Sequence, residues 1–335
     1  MNSLERLQKR LRGEPVDRPP NFDILMIYAS HYIGQPLSHF WLDPHVLCDA
    51  NFAVQEAFGL DILQAISDSY REAQGFGLQV SFPEDDLPRP DKPLLVELSD
   101  IAKLRQPDPY AGRMADTLES LRIFHERAGG EIAVMGWVEG ALAEAADLRD
   151  VSQVLIDLYD NPAWLADLLE RIVETEIAFA RAQITAGADI IGLGDAIASQ
   201  VSAKMYRKFA LPYEQRIVAA IHDMGALARL HICGNTSHIL EDMVQTGADI
   251  IDLDWMVDFS HAAALFGGRT VPCGNFDPVA VMLQGKPEQV YHATQSCLRA
   301  DPLRAISAAG CEIPDQTPVE NLLAQKRAIA AFEGI

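Results

Sequence analysis

The stretch of the sequence best suited to chemistry is RLHICGN, residues 229–235, in which a histidine and a cysteine stand two positions apart. It continues an apolar run, so we interpret it as the end of a β-strand. Residues i and i+2 of a strand point to the same side. His231 and Cys233 are therefore predicted to face one point in space, where an imidazole and a thiolate form part of a zinc site.

A third ligand is predicted from a distant part of the chain. Cys311, in SAAGCEIPDQTP, follows another apolar run. Two sulfurs and one nitrogen favour zinc over magnesium or calcium, and three protein ligands leave a fourth position open. Cys273, in VPCGNFDP, is an alternative third ligand, although we favour packing behind a loop for it. The competing interpretation is a hydrogen-bonded core histidine among cysteines that act as small apolar residues.

The elements that must position these ligands form a repeating pattern in which short apolar segments alternate with helical ones. The candidate strands lie at 21–26, 61–67, 132–138, 189–194, 227–233, 249–255, 269–274 and 304–310. Alternation predicts a parallel sheet with right-handed crossovers, and the count of eight favours a closed (β/α)8 TIM barrel. In such a barrel the loops after the strands carry the chemistry, so the histidine and both cysteines are predicted to share one rim.

Two segments stand outside the repeat. Residues 1–19 are interpreted as an N-terminal helix and its lead-in, and residues 78–98, which contain four prolines, as an inserted loop or hairpin after the second strand. We find no linker that divides the chain, so residues 1–335 are expected to form a single domain.

Composition narrows the classes of partner. The 335 residues include 27 basic and 48 acidic side chains, a net charge of −21, which disfavours binding to nucleic acid or to an anionic membrane surface. No apolar run approaches the roughly 18 residues of a spanning helix, and the charged N-terminal stretch has no signal-peptide pattern. The five scattered cysteines do not suggest a disulfide framework. We expect a cytoplasmic protein with reduced thiols.

The segments RLHICGN, GADIIDLD, CGNFDP and GCEIPDQTPVENL resemble the uroporphyrinogen decarboxylase superfamily. They are most similar to its zinc-dependent corrinoid methyltransferase branch, which includes methylcobalamin:coenzyme M methyltransferases and demethylating enzymes. The likeness extends from RGEPVDRPP to the final helix, and the His-x-Cys…Cys zinc motif of this branch matches His231, Cys233 and Cys311.

This resemblance implies a TIM barrel, a bound zinc ion and methyl transfer between a corrinoid and a small methylated substrate, such as a methyl ether, thiol or amine. We expect the corrinoid (cobalamin) to be carried by a separate protein, because no Asp-x-His-x-x-Gly cobalamin loop is present. The alternative is a metal-free uroporphyrinogen decarboxylase-type enzyme. It is disfavoured because NFDILMIYASHYIG has none of the arginines with which that group binds its polyanionic tetrapyrrole.

Further polar residues are predicted near the rim. Glu72 and Asp195 are the catalytic candidates: Glu72 as an oxygen ligand or base, Asp195 as a group that orients the substrate or His231. Their alternatives are a solvated loop and a helix N-cap. Asp252 and Asp254 end the sixth strand, and we expect one of them to face the barrel mouth. The expected lining of the substrate pocket is Asp68, Tyr70, Trp137, Glu139, Asn275 and Asp277. For Trp137 core packing is the alternative, and for Asn275 and Asp277 an Asx turn before a proline.

Overall fold

The computed structural model describes residues 1–333. Seven parallel strands form one curved sheet, and an antiparallel pair stands apart from it. In chain order the strands are β1 (Ile62–Gln64), β2 (Val80–Ser81), β3 (Arg89–Pro90), β4 (Ala133–Glu139), β5 (Ile190–Gly194), β6 (Leu227–His231), β7 (Ile250–Leu253), β8 (Val271–Phe276) and β9 (Ile306–Ala309). Strands β1 and β4 to β9 pair in chain order, which gives the (β/α) barrel architecture in one domain.

Helices surround this sheet and link its strands. They are α1 (Ser3–Leu11), α2 (Met26–Tyr32), α3 (Leu37–Leu42), α4 (Pro44–Phe58), α5 (Arg71–Phe76), α6 (Gly112–Ala128), α7 (Ala141–Arg149), α8 (Val151–Asp160), α9 (Pro162–Thr185), α10 (Ala203–Phe209), α11 (Leu211–Asp223), α12 (Leu240–Val244), α13 (Phe259–Phe266), α14 (Pro287–Ala300) and α15 (Val319–Ala330). Short 3₁₀ helices occupy Leu98–Lys103 and Ala196–Gln200, and a π-helical turn occupies Pro278–Leu283. Among residues 1–333, no helix is both long and apolar enough to cross a membrane.

The strand predicted at 21–26 is reduced to a single bridge between Asn21 and Ser307. The backbone there still fills the gap between the two sheet edges. Asp61 N donates to Asn21 O at 2.9 Å on the β1 side, and Phe22 N donates to Ser307 O at 2.9 Å on the β9 side. The segment therefore closes the barrel in the position of an eighth strand.

Side chains explain why this eighth segment is not a regular strand. Pro20 has no N–H to donate to a ladder. Just beyond it, the Asp23 carboxylate, rather than a carbonyl, accepts the Ala309 N–H at 2.9 Å. On the other side the Gln64 side-chain amide donates to Asp23 O at 2.7 Å. Polar side chains thus supply hydrogen bonds that a strand would make with its backbone.

The insertion predicted at 78–98 contains the hairpin β2–β3, in which Val80 pairs with Pro90 and Ser81 with Arg89. Several hydrogen bonds tie it to the rest of the chain; among them, Asp85 accepts from the His31 ring at 2.8 Å, and Trp41 Nε1 donates to Asp86 O at 3.2 Å. The hairpin is therefore packed against helices α2 and α3.

Strand β4 shows how alternation builds two apolar layers. Val134 and Val138 point outward and pack against the helices, whereas Ala133, Met135 and Trp137 point into the barrel. All seven residues of β4 are buried, as expected for a parallel strand covered on both faces. Its last inward-facing residues therefore lie at the barrel mouth.

Candidate metal centre

One histidine and two cysteines converge at the mouth of the barrel. His231 ends β6, Cys233 lies two residues later, and Cys311 follows β9. His231 Nε2 is 3.0 Å from Cys233 Sγ and 3.9 Å from Cys311 Sγ, and the two sulfurs are 3.3 Å apart. Within residues 1–333 this trio is the one group of three or more potential ligands close enough to share a metal ion.

An ion pair behind the trio fixes the imidazole. Asp252 on β7 pairs in register with His231 on β6, and its Oδ2 lies 2.8 Å from His231 Nδ1. The same carboxylate contacts Arg229 Nε at 2.9 and 3.0 Å. Burial opposes ionisation of Asp252, but Arg229 and His231 lower its pKa to about 2. A fixed carboxylate of this kind leaves Nε2 facing the sulfurs.

The three side chains of the trio shift one another's pKa values. A hydrogen bond from Cys233, against the effect of burial, and the nearby His231 lower the pKa of Cys311 to about 4. The same bond, together with burial, raises the pKa of Cys233. Burial disfavours protonation of His231, but Cys233 and Asp252 raise its pKa well above the ordinary value. A thiolate and two further donors at these distances fit a zinc ion, which displaces such protons.

A cavity of about 200 Å³ opens beside the trio. The predicted residues Asp68, Trp137 and Glu139 line it, as do the three candidate ligands. The other lining residues are Ile24, Met26, Ile66, Ser69, Gly194, Ala196 and Glu312. The cavity therefore combines apolar walls with a small number of polar groups, as is usual for small-molecule sites.

Trp137 forms one wall of the cavity and depends on two glycines. A Cβ at Gly192 would approach the indole ring to 2.2 Å, and a Cβ at Gly194 to 2.6 Å, so the ring lies directly on the β5 backbone. Its Nε1 donates to Glu139 Oε1 at 2.9 Å, and its ring centroid is 5.9 Å from that of His231. The indole thus separates Glu139 from the trio.

Behind Glu139 lies a group of buried acids that we name the carboxyl cluster: Glu72, Glu139, Glu144 and Glu176, with Arg71. The Arg71 guanidinium is 3.5 Å from Glu72 and 4.0 Å from Glu139. Among the described residues, no protein group donates a hydrogen bond to the carboxyl oxygens of Glu144 or Glu176. Burial first, and neighbouring acids second, raise the pKa values of Glu139, Glu144 and Glu176 well above 4.5.

The two residues predicted to be catalytic do not line the cavity. Glu72 is fully buried on α5, in the carboxyl cluster, rather than on a solvated loop or beside the sulfurs. Asp195 is also fully buried, and its Oδ1 accepts the Ala143 N–H at 3.0 Å near the start of α7. It sits under Gly140, where a Cβ would meet its carboxylate at 2.4 Å. Asp195 therefore anchors helix α7. The contact with His231 that was predicted for Asp195 is made by Asp252 instead.

Three of the predicted pocket residues have structural contacts instead. Asn275 Nδ2 donates to Asp254 O at 3.0 Å and holds the loop after β7. Asp277 accepts the N–H groups of the π-helical turn, at 2.8 and 2.9 Å. Tyr70 is the N-cap residue of α5 and also lies outside the cavity lining. Asp68, which does line the cavity, is paired with Arg113.

Cys273, the alternative ligand, is fully buried inside the barrel on β8 and does not join the trio. Its sulfur is 4.0 Å from Arg229 Nη2. This placement agrees with the packing role that we favoured for it.

The sequence did not predict the contact of Asp252 with His231, and it did not predict Glu312 as a site residue. Asp252 was one of two aspartates expected near the mouth, but only the β6–β7 register shows that it lies next to His231. Glu312 follows Cys311 directly and lines the cavity, and its carboxylate accepts the Ile27 N–H at 3.0 Å. Its position beside a predicted ligand was the signal available for it.

A larger hollow, of about 560 Å³, lies at the opposite end of the barrel, beneath α1. Its two carboxylates already accept backbone N–H groups: Asp189 from Val134 and Asp249 from Ala228. The hollow lacks the converging ligands of the mouth, so the chemistry belongs to the smaller cavity.

The chain is similar in sequence to known methyltransferases and decarboxylases. The methylcobamide:CoM methyltransferase MtbA of Methanosarcina mazei is 30% identical over 95% of this chain and 94% of its own length. The MtbA of Methanosarcina acetivorans is 29% identical over the same shares. The uroporphyrinogen decarboxylase of Thioalkalivibrio sulfidiphilus is 27% identical over 88% of each chain.

A solved structure described as a methyltransferase from Methanosarcina mazei superposes with a TM-score of 0.89 at 24% identity, over 98% of both chains. This likeness supports the fold. The profile of the family described as uroporphyrinogen decarboxylase (URO-D) matches residues 2–332. The chain therefore belongs to the uroporphyrinogen decarboxylase family.

Proposed function

We propose that this protein is a zinc-dependent methyltransferase that moves a methyl group between a small methylated substrate and a corrinoid carried on a separate protein. The observation that carries the proposal is the convergence of His231, Cys233 and Cys311 on one point beside a cavity of about 200 Å³. The MtbA relatives, named for methyl transfer between a methylcobamide and CoM, support the choice of reaction.

In this proposal His231 Nε2 and the two cysteine sulfurs hold the zinc ion. When bound, zinc lowers the pKa of a thiol or polarises the heteroatom of a methyl donor. Asp252 keeps the imidazole in the tautomer that presents Nε2. Trp137 closes the side of the cavity against water. Glu139, with its raised pKa, stands on the cavity wall as a group that can hold a proton there.

The same geometry argues against decarboxylation of a tetrapyrrole. That substrate carries eight carboxylates and needs cationic partners, whereas no lysine or arginine is among the described residues that line the cavity. The decarboxylase remains the alternative function, and a protein that folds without metal would favour it.

The experiment combines metal analysis with an assay of methyl transfer. We expect about one zinc ion per chain, lost in Cys233→Ala and Cys311→Ala. Zinc should be retained in Cys297→Ala, which removes a thiol of helix α14 that is not part of the trio. Incubation with a methylated or reduced corrinoid carrier and a panel of thiols and methyl ethers should change the cobalt absorption spectrum. Zinc-free protein that is fully folded, or an unchanged cobalt spectrum across the panel, would contradict the proposal.

A further inference from the structure

The cavity beside the trio has an unusual balance of charge. Three carboxyl groups line it, those of Asp68, Glu139 and Glu312, and the described lining contains no lysine or arginine. The predicted metal does not alter this balance, since two cysteine thiolates cancel the charge of a divalent ion. Asp68 is paired with Arg113, so a ligand that enters the cavity meets the carboxyl groups of Glu139 and Glu312 and no free positive charge.

Two arginines that pair with lining carboxyl groups are already engaged. Arg113 pairs with Asp68 and also donates to Trp41 O at 2.8 Å and to Ser67 Oγ at 3.2 Å. Arg71 is 1% exposed and lies behind Glu139, inside the carboxyl cluster. Neither guanidinium is presented to the cavity, so neither can compensate an anionic ligand.

The remaining walls strengthen this effect. Ile24, Ile66 and Trp137 are apolar and almost fully buried. Moving an anion into such surroundings removes its hydration, and an uncompensated buried charge is costly.

From this arrangement we infer that the cavity accepts small substrates whose body is uncharged or positively charged, and rejects those with a sulfonate or carboxylate group. The inference rests on the proposed function, because it concerns the thiol or methyl compound that takes part in the transfer. It separates this chain from an enzyme that uses an anionic thiol. Glu139, on the wall next to Trp137, is the residue that we expect to pair with a cationic body, releasing its proton to solvent when that body binds.

The test uses three thiols that share a two-carbon skeleton: 2-aminoethanethiol, 2-mercaptoethanol and 2-mercaptoethanesulfonate. Binding to the zinc-loaded protein is measured by calorimetry at pH 7, and each affinity is corrected for the acidity of the thiol itself. We expect the sulfonate to bind at least about ten-fold more weakly than the uncharged thiol, the size of effect that one unfavourable charge produces at a partly buried site. The aminothiol should bind at least as tightly as the uncharged one.

A pair of variants separates local from long-range charge. Glu139→Gln should reduce the ratio of aminothiol to sulfonate affinity by at least about three-fold. Glu174→Gln, on the exposed face of α9, removes a carboxylate away from the cavity and should leave the ratio unchanged. Equal shifts in both variants would assign the preference to the net charge of the protein and overturn the role of Glu139.

Sulfonate binding equal to or tighter than that of the uncharged thiol would overturn the inference. That result leaves the proposed function intact, because methyl transfer to the anionic thiol would still be observed. Failure of all three thiols to bind, together with an unchanged cobalt spectrum, would instead count against the proposed function.

Discussion

The pKa values of buried carboxyl groups shift in opposite directions on the two sides of the barrel mouth. On the β6–β7 side, Asp252 contacts both Arg229 and His231, and the pKa of its carboxyl falls to about 2. On the β4 side, the carboxyl cluster gathers four glutamates around Arg71 alone, and the pKa values of Glu139, Glu144 and Glu176 rise instead. Trp137 lies between the two sides.

The difference shows what pairing does to a buried acid. A carboxylate with charged partners stays ionised and can hold another residue in place. Carboxyl groups without enough partners keep their protons, because burial penalises the charged form. One side of the mouth therefore holds a ligand rigidly, while the other retains protons next to the cavity.

The largest effect is expected when the paired side is broken at Arg229, which is 1% exposed. Arg229→Met leaves the Asp252 carboxylate buried without its main counter-charge. We expect the free energy of unfolding to fall by about 3–5 kcal/mol, measured by urea denaturation of the metal-free protein. Arg207→Met is the matched control, because it removes an arginine–aspartate pair with an exposed guanidinium. Equal stability of the two variants would contradict the central role of the buried pair.

A smaller effect is expected when the charge of Asp252 is removed but its shape is kept. Asp252→Asn weakens the hold on His231 Nδ1, and zinc affinity should fall by about 10- to 100-fold. Competition with a chromophoric chelator measures this. Asp249→Asn, just before the other end of β7, should keep the affinity of the unmodified protein. If both variants bind zinc equally well, Asp252 does not position the ligand.

The smallest effect concerns the unpaired side. The pKa of Glu176 is raised in the folded protein, so the folded protein holds a proton that the unfolded chain loses above about pH 4.5. The free energy of unfolding therefore falls as the pH rises above about 4.5, until Glu176 ionises in the folded protein as well. Glu176→Gln removes that loss. The stability of the variant relative to the unmodified protein should improve by at least about 1 kcal/mol between pH 5 and pH 8.

The control for this pH effect stands on the same helix. Glu174 is 62% exposed and pairs with Arg216 at 2.7 Å, so Glu174→Gln should show no comparable change between pH 5 and pH 8. Parallel pH profiles for the two variants would mean that Glu176 is ionised in the folded protein.

Much of the fold could be predicted from the sequence, because buried parallel strands are continuous apolar runs in the sequence. Seven of the eight predicted strands are present, and their ends carry His231, Cys233 and Cys311 to one rim. The segment at 21–26 deviated because its hydrogen bonds come partly from Asp23 and Gln64 side chains, which no periodicity shows.

The polar residues around the trio were harder to predict. Which way Glu72 points depends on how α5 packs, and the role of Asp195 depends on its approach to α7. Both are set by contacts between elements distant in sequence. The link from Asp252 to His231 likewise needed the register of two strands.

The most direct test of the account is X-ray absorption at the zinc edge of the purified, zinc-loaded protein, with the metal content measured on the same sample. We predict one zinc ion per chain with one nitrogen and two sulfur neighbours from the protein, and the loss of one sulfur or of the metal itself in Cys311→Ala. Substoichiometric zinc bound through oxygen alone, with the same spectrum in Cys311→Ala, would contradict it.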